Sequence, residues 1–147
     1  MHFQNPTDET IRTLLKRART IAVVGLSPRP NRPSHTVARA LQGFGYRIIP
    51  VRPAVSEVLG ESAYASLRDL PQTPNLVDVF RAPQYVAPIV DECIELGVPA
   101  LWLQLGVIDD EAAMRAQAAG MQVVMDRCIY QDYVRFFGST PLSSLNS

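Results

Sequence analysis

The chain has 147 residues, of which 47% are hydrophobic and 19% charged, and its 14 Lys and Arg residues balance 14 Asp and Glu residues. This length fits one domain, and the apolar fraction excludes a wholly disordered chain. No apolar run approaches the roughly 20 residues that cross a bilayer. Two cysteines, and an N-terminus without the basic and apolar blocks of a signal peptide, favour a cytoplasmic location.

The neutral net charge hides an uneven distribution along the chain. Residues 10–56 contain nine basic and no acidic residues, whereas the part from residue 57 onward has five basic and twelve acidic residues. A strongly positive first third is typical of a protein with an anionic ligand. Nucleic acid is not the favoured ligand, because the basic residues are not interleaved with aromatic ones.

Helical and extended patterns alternate from one end of the chain to the other. The predicted helices cover about residues 5–17, 37–44, 83–96, 109–120 and 129–137, and the predicted strands cover 20–24, 46–51, 76–80, 100–103 and 121–125. We expect Asn5 to cap the first helix, Asp109 to cap the fourth, and Pro50 to lie on an edge strand or near a strand end. A further short strand is expected around Val58.

Strands that alternate with helices of about ten residues form right-handed βαβ units. The predicted fold is therefore α/β: a single Rossmann-like doubly wound domain, with a mostly parallel sheet flanked by helices. It covers residues 1–137, and residues 138–147 are expected to form a flexible C-terminal tail.

Ligands of such sheets bind at the carboxyl ends of the strands, which directs attention to the loop after the first strand. This loop, from Gly25 to His35, contains hydroxyl, amide and guanidinium donors and leads into a helix, whose free N–H groups favour an anion. The alternative is a plain strand–helix turn without a ligand. The candidate binding residues in this loop are Gly25, Leu26, Ser27, Arg32, Ser34 and His35.

The second strand ends in Val51, Arg52 and Pro53, all candidate binding residues. NAD-binding domains have an acidic residue near this position, whereas a guanidinium suits a phosphate on the adenosine ribose. Arg52 is therefore consistent with the 2′-phosphate of NADP or the 3′-phosphate of coenzyme A. A solvent-exposed Arg at a strand end is the structural alternative.

Later strand ends add Phe80, Arg81, Gln104 and Gly106 as candidates for binding a nucleotide or an amide-bearing ligand. Each also has a structural interpretation, as a core side chain, a solvated cation or a group that satisfies loop backbone. No catalytic grouping, metal-ligand spacing or nucleophilic serine motif stands out. An enzymatic role is therefore not expected. Asp126 and Arg127 are interpreted as an ion pair.

Five sequence blocks, at residues 21–34, 49–53, 77–81, 101–107 and 123–128, together resemble the small stand-alone CoA-binding protein family. The resemblance covers roughly residues 7–137. It implies the fold of the CoA-binding domain at the N-terminus of the succinyl-CoA synthetase α-subunit. It also implies that CoA is held by the 25–34 loop, the end of the second strand and the Phe80–Arg81 region. The family usually has Asn where Arg52 stands and often Lys where Ala54 stands, so Arg52 is the candidate to replace a lost phosphate contact.

The favoured hypothesis is a non-catalytic binding or regulatory module for coenzyme A or an acyl-CoA. Three alternatives are kept: an NADP-dependent oxidoreductase, a nucleotide-binding subunit of a larger enzyme, and a redox partnership between CoA and Cys128. Neither nucleic acid nor a membrane is expected as a partner, while a protein partner or a homodimer is left open.

Overall fold

The structure is a computed structural model and describes residues 2–146. Its helices are α1 Asp8–Arg17, α2 Pro33–Phe44, α3 Val86–Leu96, α4 Asp110–Ala118, α5 Ile129–Phe137 and α6 Leu142–Leu145. Its strands are β1 Thr20–Val24, β2 Arg47–Val51, β3 Glu57–Val58, β4 Glu61–Ser62, β5 Leu76–Val79, β6 Ala100–Leu103 and β7 Gln122–Met125.

Five of these strands form one sheet in the order β2-β1-β5-β6-β7, and every pairing within it is parallel. The strand β3 is the short strand expected around Val58, and it forms a separate antiparallel hairpin with β4, which was not predicted. The order reverses between β1 and β5, which creates a switch point at the carboxyl edge of the sheet. The predicted α/β fold with a parallel sheet is confirmed.

The sheet is buried on both faces, which explains why its strands are continuous apolar runs. Ile21 and Val23 of β1 belong to a core shared with α1, α2 and α5, whereas Ala22 and Val24 belong to a core shared with α3 and α4. Successive side chains of a strand point to opposite faces, so one strand contributes to both cores.

One buried position of the sheet is acidic. Asp78 of β5 lies between Val23 and Trp102 in the register and is fully buried. Among the described residues, no partner donates a hydrogen bond to its carboxylate oxygens. Burial raises the pKa of Asp78 well above its usual value, because desolvation disfavours the charged form.

The edge position of β2 agrees with the prediction made from Pro50, because β2 pairs only with β1 within the sheet. Proline has no N–H to donate and is tolerated at an edge. The segment after the hairpin covers the end of this edge: Tyr64 N–H donates to the Pro50 carbonyl at 3.0 Å, and Arg52 N–H donates to the Tyr64 carbonyl at 2.8 Å.

The start of α1 corrects a sequence prediction. Thr7, not Asn5, is the N-cap, and its hydroxyl accepts a hydrogen bond from Thr10 N–H. Asn5 instead joins the N-terminal segment to the end of β7. Its carboxamide donates to the Met125 carbonyl at 2.9 Å and accepts from Met125 N–H at 2.8 Å. The predicted cap at Asp109 is confirmed, since its carboxylate accepts from Ala112 N–H.

The segment predicted to be a flexible tail contains α6, whose Leu142 is buried in the core beside α1 and α2. The Asn146 carboxamide donates to the Lys16 carbonyl at 3.0 Å. A domain boundary at residue 137 and flexibility beyond it remain predictions. Within residues 2–146, no helix has the length and apolar character needed to cross a membrane.

Candidate functional site

Gly25, the first residue after β1, brings the ends of three strands together. Its N–H donates to the Val51 carbonyl at 2.9 Å, and Phe80 N–H donates to the Val24 carbonyl at 2.9 Å. The backbone of Gly25 has φ +86°, and a Cβ there would collide with the Phe80 carbonyl oxygen. Only glycine combines this conformation with such a close approach.

The loop from Gly25 to α2 is held by its own polar side chains. The Ser34 hydroxyl accepts from Ser27 N–H at 3.0 Å, and the Ser27 hydroxyl accepts from Arg29 N–H at 3.1 Å. His35 donates from Nδ1 to the Ser27 carbonyl at 2.9 Å, since a carbonyl can only accept. These side chains are buried and shape the loop.

A cavity of about 1170 Å³ lies at the carboxyl edge of the sheet, beside the switch point. Its lining combines arginines, small polar groups, apolar side chains and one thiol. The lining residues are Gly25, Ser27, Pro28, Arg29, Arg32, Pro33, Ser34, Val37, Arg52, Pro53, Ala54, Val55, Phe80, Gln104, Leu105, Val107, Cys128 and Gln131. This set includes no Asp or Glu, so nothing in the wall opposes an anion.

Three arginines, Arg29, Arg32 and Arg52, line this cavity. Within residues 2–146 none of the three forms an ion pair with a carboxylate. Arg52 donates to the Gly25 carbonyl at 3.4 Å, which directs it towards the end of β1. Pro33 occupies the first turn of α2, where backbone N–H groups also favour an anion.

The far wall of the cavity is formed where β6 and α5 meet. Gln104 follows β6 and is only 4% exposed, and its side-chain oxygen accepts from Ile129 N–H at 3.1 Å. Cys128, the residue before α5, lines the cavity next to this contact. The Gln104 side chain therefore forms a hydrogen bond with loop backbone, which was one of the two roles predicted for it, and it also lines the cavity.

Arg127 is not available to a ligand in this wall. Its guanidinium forms two hydrogen bonds with the buried Asp132 carboxylate, at 2.7 and 2.6 Å, and these bonds raise the pKa of Arg127. The predicted ion pair between Asp126 and Arg127 is therefore wrong. Asp126 instead accepts a hydrogen bond from Gly106 N–H at 2.8 Å.

Eight of the thirteen candidate residues line the cavity: Gly25, Ser27, Arg32, Ser34, Arg52, Pro53, Phe80 and Gln104. The other five do not. Leu26 and Val51 are core residues, and His35 supports the loop from behind. Arg81 lies over the Tyr85 ring at 4.1 Å, and Gly106 donates to Asp126. Whether the eight contact a ligand remains a prediction.

Several lining residues were not among the candidates, notably Val37, Val55, Leu105 and Gln131. Val37 lies one turn into α2, so the predicted start of this helix, which identified Ser34 as a candidate, could also have identified Val37. The others depend on how the loops pack and carry no local signal. Among residues 2–146, no group of three or more His, Cys, Asp or Glu side chains could hold a metal ion.

The parallel sheet and its switch point define a Rossmann-like α/β domain with a basic cavity at the carboxyl edge of the sheet. A family model described as "CoA binding domain" matches residues 19–133, and the chain belongs to this family. It is 41% identical to the protein YneT of Bacillus subtilis over 127 residues, which cover 86% of this chain and 94% of YneT.

Two further similarities extend this result. A solved structure of a protein from Pyrococcus horikoshii OT3 superposes with a TM-score of 0.87 at 36% identity, covering 94% of this chain and all of that one. The acetate–CoA ligase [ADP-forming] I of Archaeoglobus fulgidus is 23% identical over 121 residues. That match covers 76% of this chain but only 18% of the ligase, so the chain corresponds to one part of that enzyme.

Proposed function

We propose that this protein binds coenzyme A or an acyl-CoA in the cavity at the carboxyl edge of its sheet, as a non-catalytic binding or regulatory module. The observation that carries the proposal is the cluster of Arg29, Arg32 and Arg52 in a wall without acidic residues. Three cations without carboxylate partners in the described chain call for an anionic ligand with more than one phosphate.

Coenzyme A matches the two halves of the cavity. Its diphosphate and 3′-phosphate suit the guanidinium groups and the N-terminus of α2. Its pantetheine arm is apolar with two amide groups, and it suits the wall formed by Val37, Phe80, Val107 and the Gln104 carboxamide. Membership of the CoA binding domain family supports the same ligand class.

A role without catalysis is supported by the composition of the wall. In the described part of the chain, the cavity lining contains neither a carboxylate nor an imidazole, the usual groups for proton transfer. The similarity to a part of ADP-forming CoA ligases favours a second candidate, a nucleotide-binding component that works with another protein.

A thermal-shift series with CoA, acetyl-CoA, dephospho-CoA, NADP and NAD tests the proposal. At about 100 times Kd, a ligand specific for the folded state adds about 2.7 kcal/mol of stability, which is a rise of several degrees in Tm. We expect CoA or acetyl-CoA to give the largest rise and NAD the smallest. The absence of a shift at millimolar CoA would contradict CoA binding, and a larger shift with NADP would reassign the site to that dinucleotide.

A further inference from the structure

Cys128 is a free thiol in the cavity wall. It is 8% exposed and lies between the end of β7 and the start of α5. The other cysteine, Cys93, is fully buried on the opposite face of the sheet under α3, where desolvation raises its pKa to about 12. The two thiols therefore differ in access, and only Cys128 borders the cavity.

The Gln104 carboxamide gives an independent sign of a ligand beside this thiol. Its oxygen is occupied by Ile129 N–H, while its NH₂ group donates to no partner within residues 2–146. The Gln104 residue is 96% buried and borders the cavity, and its NH₂ group is not among the fully buried atoms without a partner in the described chain, so this group is accessible from the cavity. This donor lacks a protein acceptor, and the carbonyl of a bound ligand would supply one.

The hydrogen bond to Ile129 N–H holds the Gln104 carboxamide at the peptide group that follows Cys128. A ligand at this wall would therefore present an acceptor to Gln104 and a neighbouring group to the thiol. The end of coenzyme A has this composition: an amide carbonyl, then an N–H, two methylene groups and the sulfur. With the phosphates at the arginines, the sulfur end is the part left to reach the far wall.

We propose that Cys128 forms a mixed disulfide with coenzyme A by exchange with CoA disulfide, a reaction that rests on the proposed CoA site. The Cys128 thiolate attacks one sulfur of CoA disulfide. One S–S bond forms to the protein and the S–S bond of the reagent breaks. The released CoA leaves with the electron pair of the broken S–S bond and takes up the proton that Cys128 lost, so CoA disulfide is itself the oxidant.

Intact-mass measurement after incubation with CoA disulfide tests the exchange, with peptide mapping to locate the adduct. The wild type should gain the mass of one CoA less two hydrogens, and a thiol reductant should remove it. Cys128→Ser and Cys128→Ala should gain nothing, whereas the matched control Cys93→Ser should react like the wild type. An adduct on Cys93, or no adduct on the wild type, would overturn the proposal.

The selectivity of Cys128 for CoA disulfide over other disulfides distinguishes a thiol at a CoA-binding site from a thiol that is merely accessible. Bound CoA disulfide reacts at a high effective concentration, so it should modify Cys128 at least about tenfold faster than glutathione disulfide at equal concentration. Arg52→Ala should reduce this advantage. Equal rates with the two disulfides would overturn the proposal.

The thermal shift of Cys128→Ser with CoA in reducing buffer keeps the two proposals apart. A shift in this variant together with an adduct in the wild type supports both. A shift without any adduct in the wild type leaves CoA binding intact and overturns the exchange. If neither the wild type nor Cys128→Ser shows a thermal shift with CoA, the CoA site is contradicted. Any adduct then reflects ordinary reactivity of the thiol.

Discussion

Gly25 and Phe80 approach so closely that a single added methyl group at position 25 would collide with the carbonyl oxygen of Phe80. The contact joins the end of β1 to the end of β5, the two strands that flank the switch point. The shape of the cavity at this point therefore depends on the absence of a side chain.

Gly25→Ala should lower the free energy of unfolding by more than about 3 kcal/mol, because a left-handed conformation and a steric overlap both oppose the methyl group. Gly97→Ala is the matched control, since Gly97 also has a positive φ, +71°, but has open space around its Cβ position. The control should cost only about 1–2 kcal/mol, the cost of the left-handed conformation alone. Equal losses in urea denaturation would show that the contact with Phe80 is unimportant.

Arg52→Ala should weaken CoA binding about tenfold and dephospho-CoA binding much less, if its guanidinium binds the 3′-phosphate. Calorimetric titration of both ligands measures the difference. Arg47→Ala is the control, because Arg47 is exposed at the opposite end of β2. Equal losses for the two ligands would assign Arg52 to the diphosphate instead.

Asp78→Val should stabilise the protein at neutral pH by about 1–3 kcal/mol, because it removes a buried acid without a hydrogen-bond partner. The folded-state pKa of Asp78 is raised, so the folded state binds the proton more tightly than the unfolded state. The contribution of Asp78 to the free energy of unfolding is therefore most favourable below its ordinary pKa of 3.8. This contribution is lost as the pH rises towards the raised pKa of the folded state.

The stability gap between Asp78→Val and the wild type should therefore widen with rising pH, by up to about 1.4 kcal/mol per pH unit. Urea denaturation between pH 4.5 and 8, a range of about 3.5 units, measures the gap. Glu111→Gln, an exposed substitution on α4, controls for the removal of one acidic group. A gap that is constant with pH would mean that Asp78 is not protonated preferentially in the folded state.

Asn5→Ala should lower the free energy of unfolding by about 1–2 kcal/mol, because two hydrogen bonds to Met125 are lost at a partly exposed position. Gln4→Ala tests the neighbouring exposed position, where no comparable effect is expected. Thermal denaturation of the two variants provides the comparison, and similar Tm values would argue against a stabilising role for the Asn5–Met125 pair.

The local sequence pattern was enough to predict the parallel sheet and to place Pro50 on an edge strand or near a strand end. The first prediction depends on the spacing of apolar side chains along each helix or strand, and the second depends on the missing N–H of a single proline. Both features can be read from residues that are close together in the sequence. The prediction for Asn5 failed for the opposite reason. Its partner, Met125, is 120 residues away, and Thr7, two positions later, caps the helix instead.

The sequence by itself determined the α/β fold, the strand ends that carry the arginines and the loop that follows Gly25. Only the tertiary structure decided which polar groups face the cavity. Ser27 and Ser34 line the cavity but, like His35, use their hydrogen bonds within the loop. Gln104 and Cys128 line the same wall because β6 lies beside β7 and Gln104 accepts from the first residue of α5. A polar side chain bonds to whichever partner packing brings within reach, and spacing along the chain does not specify that partner.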